Sequence, residues 1–506
     1  MNNDTPEEFP FYFLSYSSAC THPERDPGMT PAEAEARPRP THPQRAVESF
    51  VLELSARHPE IEALAPAPDT RPYRYDAATA KTAGADGGTD GPAVVFPASA
   101  AQVQQVVRLA GELGVTVVPR GAGTGLSGGA TAAAGQVVVS TERLTAVIEI
   151  SPLDEVAVVE PGLINAELNA HLAPHGLFYA PDPASFDISS IGGNVATNAG
   201  GLRCAKYGVT RESVLALDVV LADGSLVSVG HRSIKGVTGL DLTSLFVGSE
   251  GILGIVVRAT VRLRPIPVAR KTVTAFFDST AAGAKGLYAI TLSPVRPAAI
   301  EFFDTPSLEN IDSHSGTGLR GRGAALILIE LDGYGIEAQS ADLAAALTAA
   351  GGRVTVESDD DGVRLWELRR NGRGLPQDKW YIGEDIAVPK SRLAEVYAAF
   401  PALEARFGVD ISAVSHAGDG NLHPLITLDR QPGDDPVQPP AALQEAATEL
   451  VRVALSLGGT VTGEHGIGSI KQDWAALELS PRIRQAQHAI KSALDPHALL
   501  NPGKAI

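Results

Sequence analysis

The stretch SHAGDGNLHP, from Ser415 to Pro424, sets His416 and His423 seven residues apart around a turn of glycine and aspartate. Its flanks, VDISAVS and PLITLD, are apolar and β-branched, so the stretch reads as strand, turn, strand. Histidines facing each other across such a hairpin have Cβ atoms about 5 Å apart, which suits two ligands of one metal ion. A third donor must come from elsewhere, and GGTVTGEHGIG offers Glu464 and His465 side by side. In extended backbone adjacent side chains point to opposite faces, so only one of that pair ligates. Two histidines and one carboxylate leave coordination positions open for a substrate, as a catalytic divalent-metal site requires. A lone histidine in a tight turn is ordinarily a satisfied polar residue. Two histidines and an EH pair, each among glycines, favour the functional reading.

A substrate carboxylate would need a cation, and LWELRRNGR supplies Arg369, Arg370 and Arg373. The planar guanidinium fork pairs with a carboxylate through two hydrogen bonds. At helical spacing Arg369 and Arg373 share a face, while Arg370 points partly away.

A second chemical feature lies far upstream. Within PRGAGTGLSGGA, Pro119–Ala130, the residues GTGLSG form a GxGxxG after a predicted strand. The dinucleotide-binding version of that pattern must open a helix. Here only GATAAAG precedes the strand-like QVVVST, so the loop lies between two strands and must bind with its own backbone N–H groups. Further on, PDPASFDISSIGGNVATNAGGLRCAKYGV, Pro181–Val209, has small polar residues and glycines without helical or strand periodicity. So long a structureless loop inside a globular domain is usually functional.

The elements that must hold these groups are partly legible. AVVFPASAAQVQQVVRLAGELGVTVVPRGAG reads as strand, helix, strand, with Ser99 as N-cap, Gln102 three residues on as in a capping box, and Val103, Val106, Val107, Ala110 and Leu113 at helical spacing. Short strands and Gly/Asn-rich loops alternate up to Pro265 and Pro267, a natural boundary. Beyond it, alanine-rich helices alternate with strands such as AALILIELDG, an α+β pattern.

At 506 residues the chain fits two or three domains. Its net charge of −18 argues against nucleic acid as a partner, and its apolar runs break well short of the ~20 residues of a membrane span. Cys20 and Cys204 form neither a disulfide framework nor a cluster-binding spacing, which fits a reducing cytoplasm. The first 20 residues carry acids where a secretory signal has positive charge, and residues 1–42 have the composition of a disordered tail, with Met29 an alternative start.

Taken together and in order, PRGAGTGLSGG, PDP…IGGNVATNAGG…KYG, LFVGSEGILGIV, HAGDGNLH, GEHGIG and LNPGK resemble the FAD-linked D-2-hydroxy acid dehydrogenases, from about residue 45 onward. The resemblance implies an α+β chain with the vanillyl-alcohol-oxidase fold. Its parts would be a PCMH-type FAD-binding domain at 43–267, a substrate or cap domain at 268–480, and a segment at 481–506 returning to the FAD domain. It implies that Arg120, Gly121, Ala122, Gly123, Thr124, Gly125, Leu126, Ser127 and Gly128 wrap the FAD pyrophosphate. Pro181, Asp182, Ser185, Gly192, Gly193, Asn194, Thr197, Asn198, Gly200 and Gly201 would line the rest of the cofactor, with Gly251, Ile255 and Asn501. Some relatives tether FAD through a histidine in the first loop or a cysteine in the second. No histidine lies between Pro119 and Ala130, and Cys204 reads as a packing residue, so non-covalent FAD is expected.

By the same resemblance His416, His423 and Glu464 hold a divalent ion, Zn or Mn, His465 is the base, and Arg369, with Arg373 beside it, binds the substrate carboxylate. The implied reaction is oxidation of a small D-2-hydroxy acid such as D-lactate or glycolate. Electrons would leave to an external acceptor: an Fe–S or cytochrome subunit, a quinone, a flavoprotein or oxygen. Relatives acting on 2-hydroxyglutarate place a polar residue and a lysine where this chain has Leu425 and Gly383, so a short monocarboxylate is expected. The alternatives are a 2-hydroxyglutarate dehydrogenase and a flavoenzyme with non-oxidative, alkyl-transferase-like chemistry. The expected location is the cytoplasm, at most peripheral to the inner membrane through a partner, with a homodimer as the assembly to test.

Overall fold

A computed structural model describes residues 43–79, 91–371, 374, 378–431 and 439–506. The expected tail at 1–42 and Arg373 lie outside them. The described residues belong to one compact unit.

The strand–helix–strand reading near residue 100 corresponds to Ala93–Phe96, Ala100–Leu113 and Val117–Arg120. Ser99 Oγ accepts from the Gln102 N–H at 3.3 Å, and Gln102 Oε1 accepts from Ala98 N–H at 2.6 Å, one residue earlier than a strict capping box. Val103, Val106, Val107 and Ala110 are buried against Val95, Val117 and Val139. Val117–Arg120 and Val137–Ser140 are parallel neighbours in a four-stranded sheet, so the glycine loop joins adjacent parallel strands. An antiparallel five-stranded sheet follows, built from Val147–Ser151, Val156–Val159, Ile255–Arg262, Val214–Val220 and Leu226–Gly230.

One expectation fails. The segment 181–209 contains a helix, Ile191–Thr197, and a single turn, Cys204–Tyr207. Ser190 caps the helix by accepting from the Gly193 N–H at 3.3 Å. Glycine lowers helix propensity, which hid this helix from a periodicity reading. At Gly192 its function is close approach: a Cβ there would lie 2.5 Å from Pro161 Cβ.

Downstream, an eight-stranded sheet runs in the order Arg353–Val356, Arg270–Phe277, Ala325–Asp332, Ala299–Phe303, Asp410–His416, Asn421–Asp429 and Lys379–Gly383, with Ile386–Ala387 also on Asn421–Asp429. Its pairings are antiparallel. Phe302, Ile327, Ile329 and Ile411 on one face pack with Leu287, Leu343, Val396 and Leu450 from the covering helices. Each such side chain taken fully from water contributes about 1.5–3 kcal/mol. On the other face Ala299, Phe303, Leu328 and Val414 meet Leu202, Leu365 and Trp366. Alternation along the strands puts Glu301 and His416 on that second face, turned towards the segment that carries Leu202.

Residues 499–501 run beside the first sheet: Val117 N–H donates to Leu499 O at 2.9 Å and Asn501 N–H to Val117 O at 2.8 Å. No helix among the described residues is long and apolar enough to cross a membrane.

Candidate active site

The glycine loop forms one wall of a cleft whose lining continues through Ser190, Gly193, Glu250 and Gly251 to Glu464 and His465. The loop carbonyls of Gly123, Gly125 and Gly128 accept from the backbone N–H groups of Ala77, Ala78 and Thr131 at 3.1, 3.3 and 3.3 Å. Lys504 Nζ donates to Gly128 O at 3.0 Å and to Thr131 O at 2.7 Å. With its acceptors consumed at the rear, the loop is left with N–H donors to offer an anion. Arg120 ties the loop to the preceding turn, donating through Nη1 to Tyr75 O at 2.7 Å.

Arg120 through Ser127, Ser185, Gly192, Gly193, Asn194, Thr197, Gly200, Gly251 and Ile255 line this cleft, as does Glu250, which the sequence reading left without a role. Gly128, Pro181, Asp182, Asn198, Gly201 and Asn501 are not among its lining residues. They brace it instead. Pro181 O accepts from Asn165 Nδ2, Asp182 from Arg203, and Asn198 Oδ1 from the Arg211 N–H. Asn501, expected on the cofactor, donates through Nδ2 to Gly129 O at 3.0 Å and Glu250 O at 2.7 Å. Glu250 is nearly buried and accepts from the Ile467 and Gly468 N–H groups at 2.8 and 2.7 Å. Burial raises its pKa despite those donors.

At the far end of the cleft the hairpin brings His416 and His423 together, though not directly opposite. The turn pairs His416 with Asn421 and Val414 with His423, so the two histidines are diagonal neighbours on one face, with ring centroids 5.0 Å apart. Glu464 Oε1 lies 3.5 Å from His416 Nε2 and 3.3 Å from His423 Nε2. Ligands about 2.1 Å from a tetrahedral cation are separated by roughly 3.4 Å, so this donor set fits a divalent ion. A glycine is needed at 200 because a Cβ there would run into the Glu464 carboxylate. Burial opposes charge on Glu464, yet the two histidines outweigh it and hold its pKa well below the usual range. Burial likewise opposes charge on His416, but Glu301 and Glu464 raise its pKa well above normal. Burial dominates at His423 and lowers its pKa.

Asp385, His423 and His465 form a second candidate trio. Asp385 is already saturated. Its Oδ2 accepts from Thr462 Oγ1 at 2.7 Å and from the N–H groups of Gly463, Glu464 and His465 at 2.9, 3.0 and 2.9 Å, while Oδ1 accepts from Asn421 Nδ2 at 2.6 Å. Ligation would break those bonds, so the Glu464 set is the better metal centre. Asp385 instead templates the TGEH segment. The His465 ring stacks on His423 at 5.3 Å and reaches the cleft wall. Ser127 Oγ donates to His465 O at 2.9 Å, locking that backbone to the glycine loop.

Arg369 is nearly buried, and its Nε donates to Glu301 Oε2. Arg370 is exposed and lies over the Phe186 ring, 5.5 Å from the centroid. Glu301 and Asp385 escaped assignment from the sequence. The signal available was weak: a lone acid inside the apolar run AAIEFF, and an acid beside Glu384 in GEDIAVP.

The FAD binding domain family matches residues 92–230, and the family described as FAD linked oxidases, C-terminal domain, matches residues 266–505. The chain is 38% identical over 418 residues to the glycolate oxidase subunit GlcD of Bacillus subtilis, covering 81% of this chain and 88% of that protein. It is 34% identical to the D-lactate dehydrogenase of Archaeoglobus fulgidus, covering 82% and 91%. It is also 34% identical to the D-2-hydroxyglutarate dehydrogenase of Xanthomonas citri pv. viticola, covering 81% and 88%. Among solved structures, p-cresol methylhydroxylase superposes with a TM-score of 0.72 at 19% identity, over 91% of this chain and 96% of that one. An alkyldihydroxyacetonephosphate synthase gives 0.69 at 17%, over 94% and 87%. These likenesses establish the α+β architecture of the PCMH and vanillyl-alcohol-oxidase type.

Proposed function

The chain belongs to the FAD-linked oxidases, and from that membership we propose that it oxidises a small D-2-hydroxy acid to the 2-oxo acid, with an external acceptor taking the electrons. The supporting observation is that one cleft runs from the glycine loop to Glu464 and His465, so a cofactor cradle, a candidate metal ligand and a candidate base share a wall. When bound, the flavin in that cradle supplies the hydride acceptor, and a divalent ion on His416, His423 and Glu464 supplies a Lewis acid for the α-oxygen. His465, held by its backbone on both sides, takes the hydroxyl proton onto an imidazole nitrogen. Arg369 spends its Nε on Glu301 and offers the end of its guanidinium to the substrate carboxylate. Anaerobic mixing with D-lactate, glycolate, D-2-hydroxybutyrate and L-lactate should bleach the flavin with the D-acids. Bleaching by none of them would sink the reading.

Leu425 is nearly buried and pairs across the sheet with Gly383, where a Cβ would meet nothing within 4 Å. Neither residue carries a charge that could pair with a distal carboxylate. We expect kcat/KM to favour short monocarboxylates. A preference for D-2-hydroxyglutarate above about tenfold, equivalent to about 1.4 kcal/mol, would overturn this expectation.

FAD should be released into the supernatant on acid precipitation, because the glycine loop carries no nucleophilic histidine and Cys204 is a half-buried thiol whose pKa desolvation pushes up. Flavin that stays with the pellet contradicts this.

Metal uptake should be linked to protons. Imidazole nitrogens bind a cation only when unprotonated, and the neighbouring Glu301 and Glu464 favour the protonated form of His416. Affinity for Mn2+ should therefore rise with pH, with protons released as the ion binds. Titration in weakly buffered solution measures it, and uptake without acidification would contradict the ligand assignment.

A further inference from the structure

Glu301 is completely buried in the strand Ala299–Phe303, where every residue is buried and every other side chain is apolar. Its cross-strand partner is His416. The two carboxylate oxygens are divided: Oε1 is 2.6 Å from His416 Nδ1, and Oε2 accepts from Arg369 Nε. Arg369 stands on the helix Asp359–Asn371, which Leu365 and Trp366 pack against Ala299, Phe303 and Val414. One buried anion thus grips a group read as a metal ligand and a group read as the substrate's carboxylate anchor.

We propose that Glu301 is a positioning residue that couples the two halves of the site, orienting His416 for the metal and Arg369 for the substrate carboxylate. The inference rests on the reading above. A carboxylate bonded to Nδ1–H fixes the histidine tautomer whose Nε2 lone pair faces the ion. On the other side, Arg369 Nε is occupied by Glu301, which leaves the Nη1–Nη2 end for two-point pairing with an incoming carboxylate. The direction of approach is therefore set by Glu301 rather than by the helix alone. Two donors converge on one side chain, and only a group with two acceptor oxygens can satisfy both. Glutamine cannot. If its oxygen faces His416, its amide hydrogens meet Arg369 Nε–H. If the amide faces His416, Nδ1 must become an acceptor and the proton moves to Nε2, where the ion should bind.

The test uses the FAD-loaded full chain, with Mn2+ affinity measured without substrate by competition with a chromophoric chelator, and KM and kcat measured separately. Glu301→Gln should weaken Mn2+ at least about tenfold and raise KM for the hydroxy acid by a similar factor, with FAD content unchanged. The control is Glu357→Gln, which removes a nearly buried carboxylate bonded to Thr274 and Arg322 just beyond the edge strand Arg353–Val356 and should leave Mn2+ affinity at the wild-type value. Should Glu301→Gln fail to fold, Glu301→Asp keeps the charge but shortens the reach to both partners and carries the same expectation. Wild-type Mn2+ affinity and KM in a folded Glu301 variant overturn the inference, as does equal loss in the Glu357 control. A wild-type protein that is reduced by hydroxy acids but takes up no divalent ion overturns the metal reading itself, and with it this one.

Discussion

His465→Gln should slow flavin reduction by D-2-hydroxy acids by roughly 10²- to 10⁴-fold while leaving FAD and Mn2+ binding near wild type, the range expected when a positioned proton acceptor is removed. The main chain at this position is held independently of the ring. Its N–H donates to Asp385 and its carbonyl accepts from Ser127 Oγ. Losing the imidazole therefore removes chemistry without moving the Glu464 next to it. The ring is not part of the favoured donor set, so metal affinity serves as the internal control. Stopped-flow reduction across a pH series checks the expectation. A variant within about fivefold of wild type would mean that another group or solvent takes the proton.

Asp385→Ala should be at least as damaging, although Asp385 contacts neither substrate nor cofactor in the proposed reaction. Thr462, Gly463, Glu464, His465 and Asn421 all donate to this one buried carboxylate. The side chain of Lys471 lies close by, donating to Asp385 O at 3.2 Å and pairing with Glu384 at 3.2 Å. Removing one partner from a buried charged network costs about 3–5 kcal/mol, and here the freed donors belong to the segment presenting Glu464 and His465. Denaturant unfolding should register that loss, accompanied by loss of Mn2+ binding and turnover. Burial opposes ionisation of Asp385, but His465 and Lys471 outweigh it and hold its pKa below the usual carboxylate range. A depressed pKa contributes stability that is fully present above about pH 4 and erodes only as pH falls through the folded value. A folded Ala variant with wild-type turnover would refute the template role.

What the sequence made legible was local. The helix Ala100–Leu113 could be read because its apolar residues recur at helical spacing and its cap residues are adjacent. The hairpin at 410–429 was visible from β-branched flanks around a glycine turn. Its register was not, because two residues of turn length decide whether the two histidines stand opposite or diagonal, and spacing alone leaves that free. Glu301 and Asp385 escaped because their partners are distant along the chain, 115 residues away for His416 and up to 80 for the TGEH segment. A carboxylate's role is set by the donors that fold around it. The helix Ile191–Thr197 was hidden for the opposite reason: its glycines argue locally against a helix, while packing on Pro161 selects them.

The contacts that Asn501 and Lys504 make with the glycine loop also order events in time. Lys504 Nζ closes on Gly128 O across 376 residues of sequence. At translation rates of about 5–20 residues per second, the loop emerges roughly 20 to 75 s before the amine that completes its rear wall. Throughout that interval Gly128 O and Gly129 O lack the Lys504 and Asn501 donors that complete the rear wall. The rear wall of the cleft is therefore complete only once the C-terminal segment has been made, and loss of the last few residues would leave the loop carbonyls Gly128 O and Gly129 O without those donors.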